Sequence, residues 1–150
     1  MKTSGIPSRF EKAEESPGFL LWQVTNLWQR EIRKALEKFD LTHSQFVLLA
    51  SISWLTSKKQ DITQTLLSAH TKIDPMTTST VLRTLQKRGL ITRHEHVTDT
   101  RAKTVGLTPA GVEMARHAVK AVESFDDLFF HPLGSALPEF NGMLEVLLIQ

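Results

Sequence analysis

The stretch DPMTTSTVLRTLQKRGLITRHEHVTDTRAKTVGLTPAG, residues 74–111, carries five structural signals in one order. Asp74-Pro75 is a helix start, because Asp caps free backbone N–H groups and Pro suits the first turn. Val81, Leu82 and Leu85 share one face with Thr78 in the same column, so the spacing predicts a helix over 75–88. Gly89 then stands where a left-handed C-cap is wanted. Residues 90–96 and 103–107 alternate and are joined by a polar, partly basic link, the pattern of a β-hairpin. Thr108-Pro109 repeats the cap-and-proline start and opens a long helix reaching about residue 130.

Outward from this stretch the pattern is helical. Thr42-His43-Ser44-Gln45 reads as a capping box. The helix behind it runs to about Leu55, and Phe46, Val47, Leu49, Ala50 and Trp54 predict that it is mostly buried. A short helix is expected over about 63–70. Ser16-Pro17 starts another helix, with one apolar stripe through Leu20, Val24, Leu27, Trp28, Ile32 and Leu36. A last helix, about 138–148, is apolar at Phe140, Met143, Leu144, Leu147 and Leu148. The fold expected is mainly α with a small β-hairpin wing, a winged helix-turn-helix. It forms one domain over 1–150: a lobe at about 42–107, flanked by helical segments at about 17–39 and 109–150.

The 150 residues include 18 basic and 16 acidic side chains, a net charge of +2. The balance is uneven along the chain. Residues 72–103 hold seven basic residues (Lys72, Arg83, Lys87, Arg88, Arg93, Arg101, Lys103) against Asp74, Glu95 and Asp99. Residues 104–150 are acidic on balance. A short cationic window suits contact with a polyanion. The chain has no cysteine, which excludes disulfides and Cys-based zinc sites. No apolar run approaches the roughly 18 residues that cross a bilayer. The charged segment from Arg9 to Glu15 is unlike a signal peptide, so a cytoplasmic protein without membrane contact is expected.

The predicted helix over 75–88 turns Thr77, Ser79, Thr80, Arg83, Thr84 and Lys87 away from its apolar side. Small hydroxyl residues let a helix approach the major groove closely, and an Arg spans a phosphate or a guanine edge. A solvated, well-capped helix has the same face, so this feature alone does not decide. In the hairpin link, Asp99 precedes Arg101 by two residues, with Lys103 beyond. An Arg at a wing tip suits the narrow minor groove; the same pair is also an ordinary surface ion pair, worth roughly 0–1 kcal/mol. Arg93 on the first strand completes the set of candidate DNA contacts.

Asp74 to Ser79, Leu85 to Ile91, Asp99 to Lys103 and Leu107 to Gly111 together resemble the MarR family of bacterial regulators. The resemblance covers about residues 17–148. It implies a homodimer whose first, fifth and sixth helices interlock, and two recognition helices in successive major grooves of a pseudo-palindrome. It also implies a transcriptional regulator, a repressor in the usual case, released by a small ligand bound between the dimer region and the lobe. Two departures stand out: Thr80 lies where many members carry Arg, and Lys72 lies where the turn before the recognition helix usually has Gly, which predicts a looser turn.

The terminal segments carry Phe19, Trp22, Phe125, Leu128, Phe129, Phe130, Phe140 and Leu147. Exposed together they would be a liability in a monomer, and a two-fold interface would cover them; the other arrangement folds the ends back on their own core. Trp28, His43, Phe46 and His117 are candidates to line a pocket for a weakly acidic aromatic effector, or else to form packed core. His94 and His96 face the same way on a strand but have no third ligand at useful spacing, so no metal site is expected. No nucleotide-binding glycine pattern, nucleophile elbow or zinc-protease motif occurs, so neither enzymatic activity nor a cofactor is expected. The rival reading is a winged helix used for protein contacts or dimerisation without DNA.

Overall fold

The computed structural model describes residues 5, 7–59, 61–95 and 103–150. The elements run α1 (Pro17–Leu36), α2 (His43–Ser57), α3 (Gln64–Thr71), α4 (Pro75–Lys87), β1 (Ile91–Glu95), β2 (Lys103–Leu107), α5 (Pro109–Phe130) and α6 (Leu137–Leu148). Short 3-10 turns at Ala13–Glu15, Glu37–Phe39 and His131–Ala136 flank the terminal helices.

The helix starts follow the local chemistry. Ser16 Oγ accepts from the Phe19 N–H at 3.2 Å, with Pro17 in the first turn. The Thr42 box is closed both ways, at 3.1 Å from the Gln45 N–H and 3.0 Å from the Thr42 N–H to Gln45 Oε1. Thr63 caps α3, Asp74 caps α4 and Thr108 caps α5 in the same manner. A Ser or Thr cap of this kind contributes about 1 kcal/mol. Gly89 sits at φ +73°, so the left-handed end of α4 is as expected.

One core unites these elements. α2 lies at its centre through Phe46, Leu48, Leu49, Ile52 and Leu55. Ile32 and Leu36 reach it from α1, Leu67 from α3, Leu82 and Leu85 from α4, and Ala118 and Val122 from α5. Leu90, Ile91 and Val105 seal its edge under the wing. Trp54 departs from expectation: it is 53% exposed, stacked on His70 at 5.5 Å. α2 is apolar almost all round, so its sequence does not say which side faces outward; packing against α3 and α5 does.

β1 and β2 pair antiparallel, with Ile91 opposite Leu107 and Arg93 opposite Val105. A short third segment joins them: Thr63 bridges Thr104, and the Val105 N–H donates to Ile62 O at 2.8 Å. The wing is thus sewn to the start of α3. Its other end is held by Thr108, whose Oγ1 donates to Gly89 O at 2.6 Å and accepts from the Gly111 N–H at 3.0 Å.

The terminal helices are only partly covered. Phe125, Phe129, Phe130 and Phe140 form a ladder with ring centroids 5.1 to 6.0 Å apart, so these four fold back on one another. Phe19, Leu21, Trp22, Leu27, Leu128, Val146 and Leu147 remain exposed, and α6 buries no residue.

Candidate nucleic-acid interface

α4 buries Thr78, Leu82 and Leu85 and turns Met76, Thr77, Thr80, Arg83, Thr84 and Lys87 outward. Thr78 is buried without penalty, because its hydroxyl donates to Asp74 O at 2.9 Å. The exposed hydroxyls are already oriented. Thr77 Oγ1 donates to Asp74 Oδ2 at 2.7 Å, and Thr80 Oγ1 to Met76 O at 3.1 Å. Each keeps lone pairs for an incoming donor. The bonds from Thr77 also hold the Asp74 carboxyl below its ordinary pKa. Arg83 lies along the helix, with Nη2 donating to Ser79 Oγ at 3.3 Å, which presets a guanidinium beside the hydroxyl face.

The cations of the central window divide into two groups. Arg88 points backward and donates to the carbonyls of Phe39 and Asp40 and to Gln45 Oε1, closing the α1–α2 connection against α4. Its charge has a structural use that a count along the sequence does not reveal. Arg93 is half-buried beside Gln64, and burial, then the neighbouring Arg83 guanidinium, work against its charge. Lys103 is exposed on β2, in register with Glu95. Asp99 and Arg101 lie outside the described residues, as does His96. His94 is exposed, and among the described residues no cluster suited to a metal ion occurs.

The four candidate pocket residues are not brought together. Trp28 and His43 meet edge to face at 5.0 Å, and the Trp28 indole N–H donates to Asp126 Oδ1 at 2.8 Å. They border a groove of about 450 Å³ with Arg33, Thr71 and Ile73. Phe46 is instead a core residue, 9% exposed. His117 stands on the exposed side of α5, 3.7 Å from Glu113, and borders a different groove with Lys34, Lys38 and Lys120. A helix of 22 residues passes several environments, and His117 lies on a face that does not reach Trp28.

Burial and Arg33 push the His43 imidazole below its ordinary value of 6.5, only partly offset by Asp126. Burial pushes the Asp126 carboxyl up, against the Trp28 N–H and His43. The folded chain therefore binds a proton at His43 less readily than the unfolded chain. That contribution to stability is complete above pH 6.5 and is lost as pH falls through the depressed value. Thermal unfolding at pH 7 and 5.5 should show a drop in Tm that shrinks in His43→Gln; an equal drop in both would remove His43 from the account.

The family profile of the ArnR1-like winged-helix domain matches residues 37–124. The HTH-type transcriptional regulator YdcH of Bacillus subtilis is 40% identical over 140 residues, covering 93% of this chain and 95% of that protein. The chain belongs to the ArnR1-like winged-helix family of HTH-type transcriptional regulators. The repressor Rv2887 of Mycobacterium tuberculosis is 30% identical over 137 residues, covering 90% of this chain and 96% of its own. Among solved folds, S. aureus MepR in its DNA complex superposes with a TM-score of 0.76 at 22% identity, over 91% of this chain and 99% of that one. CouR of Rhodococcus jostii, bound to p-coumaroyl-CoA, gives 0.81 at 19% identity, over 93% and 96%. The family is one of regulators and not of enzymes. Among the described residues no helix is long and apolar enough to cross a membrane.

In this winged-helix regulator the expected looseness at Lys72 does not arise. Lys72 adopts φ 66°, ψ 14°, the left-handed conformation itself, so the turn between α3 and α4 keeps its shape. The strain of a non-glycine residue there is of order 1 kcal/mol. Two residues escaped the sequence reading. Met76 is 81% exposed on the first turn of α4, although an apolar side chain there has no core to join. Gln64 gives no sequence signal, because an amide at a helix start is commonplace.

Proposed function

We propose that this regulator binds double-stranded DNA as a homodimer, in the cytoplasm, and represses transcription from a pseudo-palindromic operator. The observation that carries the proposal is the outward face of α4: hydroxyls, Arg83 and Lys87, with no carboxylate after Asp74. Such a face fits the negative major groove, with Thr77, Ser79 and Thr80 near bases or phosphates and Arg83 able to span a guanine edge. Arg93, Lys103 and the tip pair Asp99 and Arg101 extend the contact to the adjacent groove. The exposed apolar residues of α1 and α6 supply the two-fold interface. DNA in the solved MepR complex and the repressor role named for Rv2887 support the same reading.

A small acidic aromatic effector would suit the groove beside Trp28, His43 and Arg33, where an aromatic wall meets a cation. CouR, with an aromatic acyl-CoA bound, supports a ligand-released mechanism.

Duplex binding is expected to weaken steeply with salt, because phosphate contacts release counterions. Arg101→Ala should weaken operator binding at least about tenfold without unfolding the dimer. Unchanged affinity would favour a winged helix used for protein contacts. Arg83→Ala should relax sequence preference if Arg83 reads a base; a uniform loss across sequences would make it a phosphate contact.

A further inference from the structure

We infer that Gln64 is a positioning residue for DNA binding, holding the Arg93 guanidinium at the junction of α3, α4 and the wing so that it meets a backbone phosphate in one fixed orientation. This inference rests on the DNA-binding reading above.

The strand pattern makes Arg93 anomalous. Its register partner Val105 is buried, and directly opposed residues of an antiparallel pair share a face. Ile91 is buried too, whereas Thr92 and His94 are exposed. Arg93 therefore occupies the inner face of the wing, where alternation calls for an apolar side chain. One Nη donates to Gln64 Oε1, and Nε is buried with no hydrogen-bond partner among the described residues. Leaving a buried donor unmet costs stability, so a chain selected for stability alone would place Val or Leu here.

The choice of partner is informative. A carboxylate at position 64 would satisfy the guanidinium better, but it would cancel its charge. An amide fixes the orientation and leaves the charge for an external anion. The backbone that carries the amide is well anchored. Gln64 follows Thr63, which bridges β2 at Thr104, and the Val105 N–H bonds Ile62 O at 2.8 Å. The field of Arg83, on α4, also reaches Arg93. A phosphodiester between the wing and α4 would relieve that repulsion.

The test uses the full chain and a duplex of arbitrary sequence, about four helical turns long. Affinity is followed across a salt series, with Tm measured in parallel. If the wild-type protein ignores the duplex at low salt, the DNA-binding reading falls and this inference falls with it. With binding established, Arg93→Gln should weaken it about tenfold and reduce the salt slope by about one per protomer. Gln64→Ala should cost roughly threefold in the wild type and nothing measurable beside Arg93→Gln. Gln64→Glu separates orientation from structure: Tm should hold or rise while affinity drops about tenfold. That drop should vanish in the Arg93→Gln background. Wild-type affinity in Gln64→Glu, or a loss of equal size with and without Arg93, would overturn the inference while leaving DNA binding intact.

Discussion

Gly111→Ala is expected to destabilise the protein by about 3 kcal/mol, near the upper end for a methyl forced into a packed site. A Cβ at this position would lie 1.9 Å from the carbonyl oxygen of Leu90. The obstacle is backbone, and it is not free to move. Leu90 O accepts from the Thr108 N–H at 3.1 Å, and Gly89 before it is held by Thr108 Oγ1 at 2.6 Å. Any shift that admits the methyl group must open the Thr108 cap, the end of α4 or the base of the wing. In a chain of this length the loss corresponds to a fall in Tm of roughly 10 °C. Calorimetry of the purified variant checks it, and a change below about 3 °C would show that α5 slides freely over the wing base.

Trp22→Glu and Leu147→Glu are expected to leave the lobe folded and to break the proposed dimer. Trp22 is 67% exposed and Leu147 56% exposed on the single chain, so neither supports the core. A charge at either place is harmless to a monomer and severe in an apolar interface. Separated lobes lose the second attachment to the same duplex, and affinity should fall about a hundredfold or more. Mass photometry and duplex titration on the same samples test both halves. A variant that stays dimeric and binds normally would place the two-fold elsewhere.

The two predictions differ in how far the sequence foretells them. The elements around Gly111 are legible because their signals are local: Thr108-Pro109 caps and starts a helix within four residues, and Gly89 ends one. The outward face of α4 is legible for a related reason, since its apolar column leaves only one side for Arg83 and the hydroxyls. Legibility stops where direction depends on a second element. Arg88 is one more cation in a basic window until the connection between α1 and α2 supplies the carbonyls of Phe39 and Asp40 that it clamps. Trp54 looks like core until α3 offers His70 on the outer side. His117 and Trp28 are both aromatic but border different grooves, because they stand on different helices, α5 and α1, and face different neighbours. Lys72 shows the reverse case: a residue type that predicts a loose turn is held in the left-handed conformation that glycine adopts most readily.

The effector proposed for the groove beside Trp28 would have a short route to α4. Thr71 and Ile73 line the same groove and lead directly into the turn before α4. A molecule seated against them would press on the turn before α4, the helix proposed to meet DNA.

The most direct test is selection of bound duplexes from a random pool by the wild-type protein. Two copies of α4 related by a two-fold axis must enrich inverted half-sites whose centres lie about one helical turn, or 10 base pairs, apart. Recovery of a single unrepeated site, or of sequences no different from the starting pool, would contradict a dimer that reads DNA through this face.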